Sequence, residues 1–388
     1  MDLTFSDREE AFRAEARAWL EANVPREALP SGDTEEGFAL HKRWEKKLFE
    51  AKWSAVSWPR KYGGREASLL EWLIFEEEYY RAGGPQRIAQ NGIFLLAPTL
   101  FEFGTEEQKD RILLRMAAAD DLWAQGWSEP NAGSDLAGIK SVAVRDEARG
   151  GWRLSGQKTW CTRGAFCDWM FGLFRSDPTA ERHRGLTYFL VPLRAKGMTV
   201  RPVDRLDGDA GFAEVFLDDV FVPDRDVLGK VHDGWNVAMA TASSERGLSL
   251  RSPGRFQATA RRLVDLYVRY GDGTDPSLYD AVVRAWMDAE AYALYTLQTV
   301  SRVAAGGTIG AEASLNKICW SEMDVRMHET ALRILGAHAE LVDDAPDAID
   351  AGGWMKGFEF ALAGPIYAGT NEIQKNVVAE RVLGLPRK

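Results

Sequence analysis

The chain has 388 residues, enough for more than one hydrophobic core, and its 45% hydrophobic and 27% charged content is that of an ordinary globular protein. A net charge of −10 argues against nucleic acid or an anionic membrane as the main partner, although a few local arginines and lysines suffice to hold a phosphorylated ligand. Three cysteines without CxxC spacing and five scattered histidines without HExxH argue against a disulfide framework and a metal centre, and predict a reducing, cytoplasmic setting. The opening MDLTFSDREE is charged and lacks an apolar signal core, and the longest apolar run, 93–100, is too short to cross a bilayer.

Residues 1–120 read as helical. Ser6 and Glu9 form a capping box ahead of Phe12, Ala16, Trp19 and Leu20 at helical spacing, and the helix runs until Pro25. Phe38, Leu40, Trp44 and Leu48 predict a second helix, residues 69–81 a third, and Thr105 with Gln108 opens another through about 118. Between 121 and 235 short β-type runs alternate with Gly, Asp and Pro turns, at 141–145, 151–154, 170–174, 186–191, 198–203 and 213–217. That spacing predicts a small β-sandwich or barrel. From 236 to 388 the amphipathic stretches 255–270, 277–304, 310–335 and 371–382 predict a helix bundle. Helices, strands and helices in blocks exclude a βαβ unit, and no GxGxxG is present.

Three segments carry candidate chemistry. Gly126-Trp127-Ser128-Glu129-Pro130-Asn131-Ala132-Gly133-Ser134-Asp135-Leu136-Ala137-Gly138 follows an apolar run and combines glycines, hydroxyls, an amide and carboxylates. Such a loop can offer backbone N–H groups and short hydroxyls to a polar or phosphorylated ligand, or be no more than a tight turn between strands. Gly156-Gln157-Lys158-Thr159-Trp160-Cys161-Thr162 sets a Trp beside small polar residues. It can lie against an aromatic ring system with a hydroxyl at the ring's edge, or be a core Trp. Tyr367-Ala368-Gly369-Thr370-Asn371-Glu372 is a sharp turn with a helix cap and alone says nothing more.

In order and spacing these segments closely resemble the acyl-CoA dehydrogenase family. So do Ser57-Trp58-Pro59 with Tyr62-Gly63-Gly64, Phe103-Gly104-Thr105 with Gln108, Phe216-Leu217-Asp218-Asp219-Val220 with Val222-Pro223, and Asn316-Lys317. The resemblance covers nearly the whole chain. It implies an α+β multidomain fold: an N-terminal α-helical domain (1–120), a middle β-barrel domain (121–235) and a C-terminal four-helix bundle (236–388). FAD would lie between barrel and bundle in a tetramer, and a bound acyl-CoA would be oxidised to the trans-2-enoyl thioester. Gln125, Trp127, Ser128, Gly133 and Ser134 would hold the flavin and line the thioester site. Trp160 and Thr162 would flank the isoalloxazine, and Thr370 and Glu372 would reach the cofactor. An electron-transfer flavoprotein would take the electrons. An oxygen-using oxidase is disfavoured, since those chains carry a large extra C-terminal domain.

Removing a proton alpha to a thioester carbonyl needs a carboxylate base, sharpened by the exclusion of water. Many members place that base directly before the Gly-Thr of the third segment, where this chain has Ala368. Relatives acting on isovaleryl and long-chain substrates carry it on the first bundle helix before an Arg, which corresponds here to Glu245-Arg246. Glu245 also falls on an apolar stripe with Ala238, Ala242 and Leu248, where a carboxylate is costly unless it is paired or used. It is either the base or half of a buried polar contact, and Arg246 would position the substrate or the turn at Gly369. Many members also have an Arg-x-x-Phe-Gly motif reaching a neighbour's FAD. Here only Arg255-Phe256 comes near it, with the wrong spacing. This resembles a bacterial branch in which two different chains assemble and share flavin sites, including sets that act on steroid side chains. The chain would then form a homotetramer, or a heterotetramer with a paralogous chain, either as an active dehydrogenase or as a non-catalytic or half-competent flavin-sharing subunit.

Overall fold

The computed structural model of the chain describes residues 4–246, 252–342 and 345–386, with the backbone alone at 243–246. The first helices are α1 (Asp7–Asn23), α2 (Glu35–Glu50), α3 (Leu69–Arg81), α4 (Ala97–Phe103) and α5 (Glu106–Ala117). Strands β1 (Trp123–Gly126), β2 (Val142–Asp146), β3 (Gly151–Lys158), β4 (Trp169–Arg175), β5 (Leu186–Pro192), β6 (Met198–Val203), β7 (Phe212–Pro223) and β8 (Val227–Leu228) follow. The remaining helices are α6 (Gly234–Arg246), α7 (Pro253–Tyr270), α8 (Pro276–Ala304), α9 (Ala313–Leu335), α10 (Gly353–Ala361) and α11 (Asn371–Val377).

Both predicted capping boxes form, and Ser68 with Glu71 makes a third ahead of α3. In each box the hydroxyl accepts an amide that the helix leaves unpaired, and the Glu or Gln at the third position returns the bond. α11 runs on through 378–382 as a wider turn, in which the Leu383 N–H donates to the Val378 carbonyl at 3.0 Å. α10 is absent from the sequence expectation, because it is short and holds glycines at 353 and 357 that weaken a helical signal.

Two compact units interleave along the chain. One comprises residues 1–26, 68–84 and 246–388, in which α1 packs on α3 and α3 packs on α7 and α8 rather than on its sequence neighbours. Its core gathers Phe256, Leu263, Trp320, Met327 and Trp354. α1 and α3 are also joined by a ladder of ion pairs, Arg8–Glu71 at 2.8 Å, Arg13–Glu77 at 2.8 Å and Arg17–Glu78 at 2.9 Å. Glu78 is buried, and the arginines at 13, 17 and 81 all reach it. Burial pushes its carboxyl up, but Arg17 and Arg13 outweigh that and hold it below the usual carboxylate range.

The second unit comprises residues 27–67 and 85–245 and contains the sheet. Among the described residues the strands run β6-β7-β3-β2-β4-β5-β8, with β1 parallel to β4. β4 and β5 pair antiparallel, and both are buried along almost their whole length. The predicted strand at 213–217 is longer than expected, because Asp218-Asp219 looks like a turn. In the fold it lies inside β7, where Asp219 adopts φ +54° opposite an irregularity between Leu154 and Gly156 of β3. Gly156 has no room for a Cβ, which would sit 2.2 Å from the Ser141 hydroxyl oxygen. α6 packs on α4 and β5 through Thr241, whose hydroxyl lies 2.8 Å from the Thr99 hydroxyl and 3.3 Å from that of Tyr188. No helix of the described residues is long and apolar enough to cross a membrane.

Candidate active site

β1 delivers the glycine-rich loop to one end of the sheet. Gln125 is half-buried and paired in register with Phe171 of β4, and Gly126 is packed so closely that a Cβ would lie 2.0 Å from the Met170 sulfur. That glycine answers to β4 rather than to a ligand. Trp127 turns inward and meets Tyr188 edge-on at 6.4 Å. Its indole Nε1 is buried and has no hydrogen-bond acceptor among the described residues. Such a donor is costly to leave unmade.

The first two candidate segments are physically joined. The Thr159 N–H donates to the Ser128 carbonyl at 2.9 Å, and beside it the Lys158 ammonium donates to Glu129 at 2.8 Å. Lys158 is fully buried, and it also donates to the Leu173 carbonyl at 2.8 Å. Glu129 accepts in addition from the amides of Lys140, at 2.7 Å, and Ser141, at 3.0 Å. Burial pushes its carboxyl up, but the Lys158 charge and these amides outweigh that and hold it below the usual carboxylate range. Glu129 is therefore an anchor of the loop. The sequence carried a signal for Lys158, since it follows Trp152 and Leu154 at even spacing on the buried face of β3.

Beyond that anchor the loop opens to solvent. Ser128 is half-buried, while Gly133, Ser134 and Asp135 are exposed. Nothing lies within 4 Å of where a Gly133 Cβ would be, and its backbone is not left-handed, so the protein's own packing does not require glycine there.

Trp160 is not a core residue. It is 60% exposed, touches Phe212 edge-on at 5.8 Å, and adopts φ +58°. A bulky side chain in the left-handed region is a backbone outlier, and an exposed one gains little burial in return. Cys161 beside it is buried, and burial pushes its thiol up to about 12, which leaves it unreactive. Thr162 is half-buried in the turn that follows.

The third segment lies in the helical unit. Ala368 and Gly369 are both left-handed, at φ +58° and +78°, and the Thr370 hydroxyl caps α11 by accepting the Ile373 N–H at 3.3 Å. The Gln374 amide donates to the carbonyls of Ala368 at 3.2 Å and Gly369 at 3.3 Å. Asn371 is held by Lys317 of α9 at 2.8 Å and by Ser321 at 3.2 Å, and Lys317 is buried. These anchors are long-range and are not readable from the segment itself. Glu372 is exposed, and a hydrogen bond from its own backbone N–H together with one from the Thr370 hydroxyl lowers its carboxyl. Arg255 is occupied within the chain by Asp324 at 3.2 Å.

Glu245 and Arg246 end α6, and their side chains lie outside the described residues. The same helix buries Val237, Ala238, Thr241 and Ala242.

Helices, a sheet bearing a polar glycine-rich loop, and further helices are the architecture of a flavin-dependent dehydrogenase. The chain belongs to the acyl-CoA dehydrogenase family: family models match its N-terminal domain at residues 6–120, its middle domain at 124–220 and its C-terminal domain at 232–383. It is 37% identical to the acyl-CoA dehydrogenase IpdE1 of Mycolicibacterium smegmatis, over 97% of this chain and 98% of that one. A solved structure named as the Tcur3481-Tcur3483 steroid ACAD superposes with a TM-score of 0.88 at 27% identity, covering both chains completely. The ChsE4-ChsE5 complex from Mycobacterium tuberculosis gives a TM-score of 0.87, also at 27% identity and over the whole of both chains.

FAD is the cofactor of this family. The sheet unit fits it on three observations: an orphaned buried indole N–H at Trp127, open space over Gly133, and an exposed, strained Trp160. Gly133→Ala is accordingly expected to leave thermal stability unchanged while weakening FAD binding by about tenfold, or ~1.4 kcal/mol, in a flavin titration. Equal affinity in the variant would remove the open space over Gly133 as a cofactor contact.

Proposed function

We propose that the chain catalyses the FAD-dependent α,β-dehydrogenation of an acyl-CoA thioester to the trans-2-enoyl-CoA, with Glu245 as the base that takes the α proton. Bound FAD supplies the acceptor at N5 for the hydride that leaves the β carbon, and the two carbons are left joined by the new double bond. Gln125, Trp127, Ser128, Gly133 and Ser134 hold the flavin, and Trp160 and Thr162 flank its ring. Ser134 and Arg246 serve the substrate. Thr370 and Glu372 are assigned to the cofactor on the family resemblance, as are the domain limits 1–120, 121–235 and 236–388.

The observation that carries this reading is Trp160, an exposed indole held in a left-handed backbone, whose neighbour Thr159 donates its N–H to the Ser128 carbonyl in the loop of Trp127. Free thiols at positions 161, 167 and 319 support a cytoplasmic setting, and an electron-transfer flavoprotein is the acceptor that the family chemistry calls for. A base on the first bundle helix rather than in the turn at Ala368 resembles the arrangement of relatives acting on isovaleryl and long-chain substrates, which favours branched, long or bulky acyl groups. The steroid ACAD among the neighbours agrees with that preference.

A second reading makes the chain one partner of a heterotetramer. It is favoured by Ala368 at the usual base position, by Arg255 being tied to Asp324 within its own chain, and by neighbours named for two different chains. The test is to purify the chain alone, record its flavin spectrum and titrate a panel of acyl-CoA thioesters anaerobically. Bleaching of the flavin by a thioester supports the dehydrogenase. A yellow protein that no thioester bleaches would sink that reading, and a colourless protein that gains flavin only beside a paralogue would establish the second.

A further inference from the structure

Trp160 is held in place from a distance. It and Arg163 are both left-handed, at φ +58° and +53°, with buried Cys161 between them. Two strained residues so close together persist only where the surroundings over-determine them. The backbone is pinned on both sides. Cys161 and Ala213 exchange both of their N–H···O bonds at 3.0 Å, and the Arg163 N–H donates to the Gly211 carbonyl at 3.0 Å.

The side chains add a second grip. Arg163 is buried with its Nε 2.6 Å from an Asp33 oxygen, a charge contact in which the N–H is not aimed at the oxygen, and the other oxygen of Asp33 pairs with Arg205. Arg205 also holds Asp207 at 2.8 Å and Asp209 at 3.5 Å. It lies directly over Gly211, where a Cβ would stand 2.1 Å from its Nη1. The residue whose carbonyl accepts the Arg163 amide thus has Arg205 packed against its Cα, and Asp33 ties the two arginines together. Burying that many charges is costly, and an apolar cluster would pack the same volume more cheaply.

We propose that Arg163, paired with Asp33 and braced by Arg205 over Gly211, is a positioning residue that keeps Trp160 exposed and aimed at the flavin. The inference rests on the reading that Trp160 flanks the flavin. Arg163 itself touches neither cofactor nor substrate in this role.

The test compares Arg163→Gln, Arg163→Lys and Trp160→Phe. Amide hydrogen exchange over 159–164 is read on flavin-free protein, and FAD affinity and the visible spectrum on reconstituted protein. Arg163→Gln leaves Asp33 paired with Arg205, and it is expected to speed exchange in that segment about tenfold while the amides of β4 and β5 stay as protected as before. Its flavin spectrum should shift towards that of Trp160→Phe, and Arg163→Lys should restore both signals in large part. If Arg163→Gln does not accumulate as folded protein, Gly211→Ala, which displaces Arg205, reads the same exchange. Wild-type exchange with a wild-type spectrum would overturn the proposal, and so would faster exchange spread equally over the sheet. Wild-type flavin affinity and spectrum in Trp160→Phe would instead remove the reading beneath it.

Discussion

Glu245→Gln is expected to lower the rate of flavin reduction by an acyl-CoA by about 10²–10⁴-fold, equivalent to roughly 3–5 kcal/mol of barrier. The α proton of a thioester is weakly acidic, so its removal depends on a carboxylate at the right place, and an amide cannot accept a proton at neutral pH. At 368 the chain offers only alanine, whose left-handed backbone forms the turn into α11 and whose carbonyl is taken by Gln374. The helix bearing Glu245 buries a face of small residues at Ala238, Thr241 and Ala242. FAD content and affinity should stay at wild-type values, which separates loss of the base from loss of the site. The measurement is anaerobic stopped-flow reduction followed at the flavin absorbance maximum. Reduction at the wild-type rate would move the base to another residue.

Lys158→Met is expected to destabilise the sheet unit by about 3–5 kcal/mol, because it leaves Glu129 buried without its cation. The same change should weaken flavin binding, since the pair stands beside the Thr159–Ser128 bond that joins the two loop segments. Lys158→Met combined with Glu129→Gln should recover more than half of the loss. Gln removes the stranded charge while its carbonyl oxygen still accepts an amide from Lys140 or Ser141. Urea unfolding followed by tryptophan fluorescence measures both variants. A wild-type midpoint in the single variant would show that the pair contributes nothing.

The pH dependence follows from the same carboxyl. Its folded value lies below the unfolded value of 4.5. The stability it contributes is therefore fully present above that value and is lost as pH falls through the lower folded one. Wild-type protein should lose part of its stability on acidification in that window. The double variant should lose less of its stability there.

Much of the fold was legible in the chain because the signals are local. The capping boxes at Ser6 and Thr105, the amphipathic stretches of α7, α8 and α9 and most of the strands arise from residues a few positions apart. The loop from 126 to 138 was legible as a ligand loop for the same reason, since its glycines, hydroxyls and carboxylates sit together in one short word. What stayed hidden depends on partners far away in sequence. Asp218-Asp219 mimics a turn until the irregularity in β3 is set against it. Trp160 reads either as a ring set against a ligand or as a core Trp until the backbone bonds to Ala213 and Gly211 hold its flanks.

The sequence by itself determined the family, the cofactor, the order of helices, strands and helices, and the replacement of the usual base position by alanine. Only the tertiary structure decided that α3 joins α1 to the C-terminal helices α7 and α8, that Glu129 is spent on Lys158, and that Trp160 stands exposed. Each of those outcomes is settled by a contact between residues tens to hundreds of positions apart. Burial, charge pairing and backbone strain at such contacts are properties of neighbours in space, which no local pattern along the chain records.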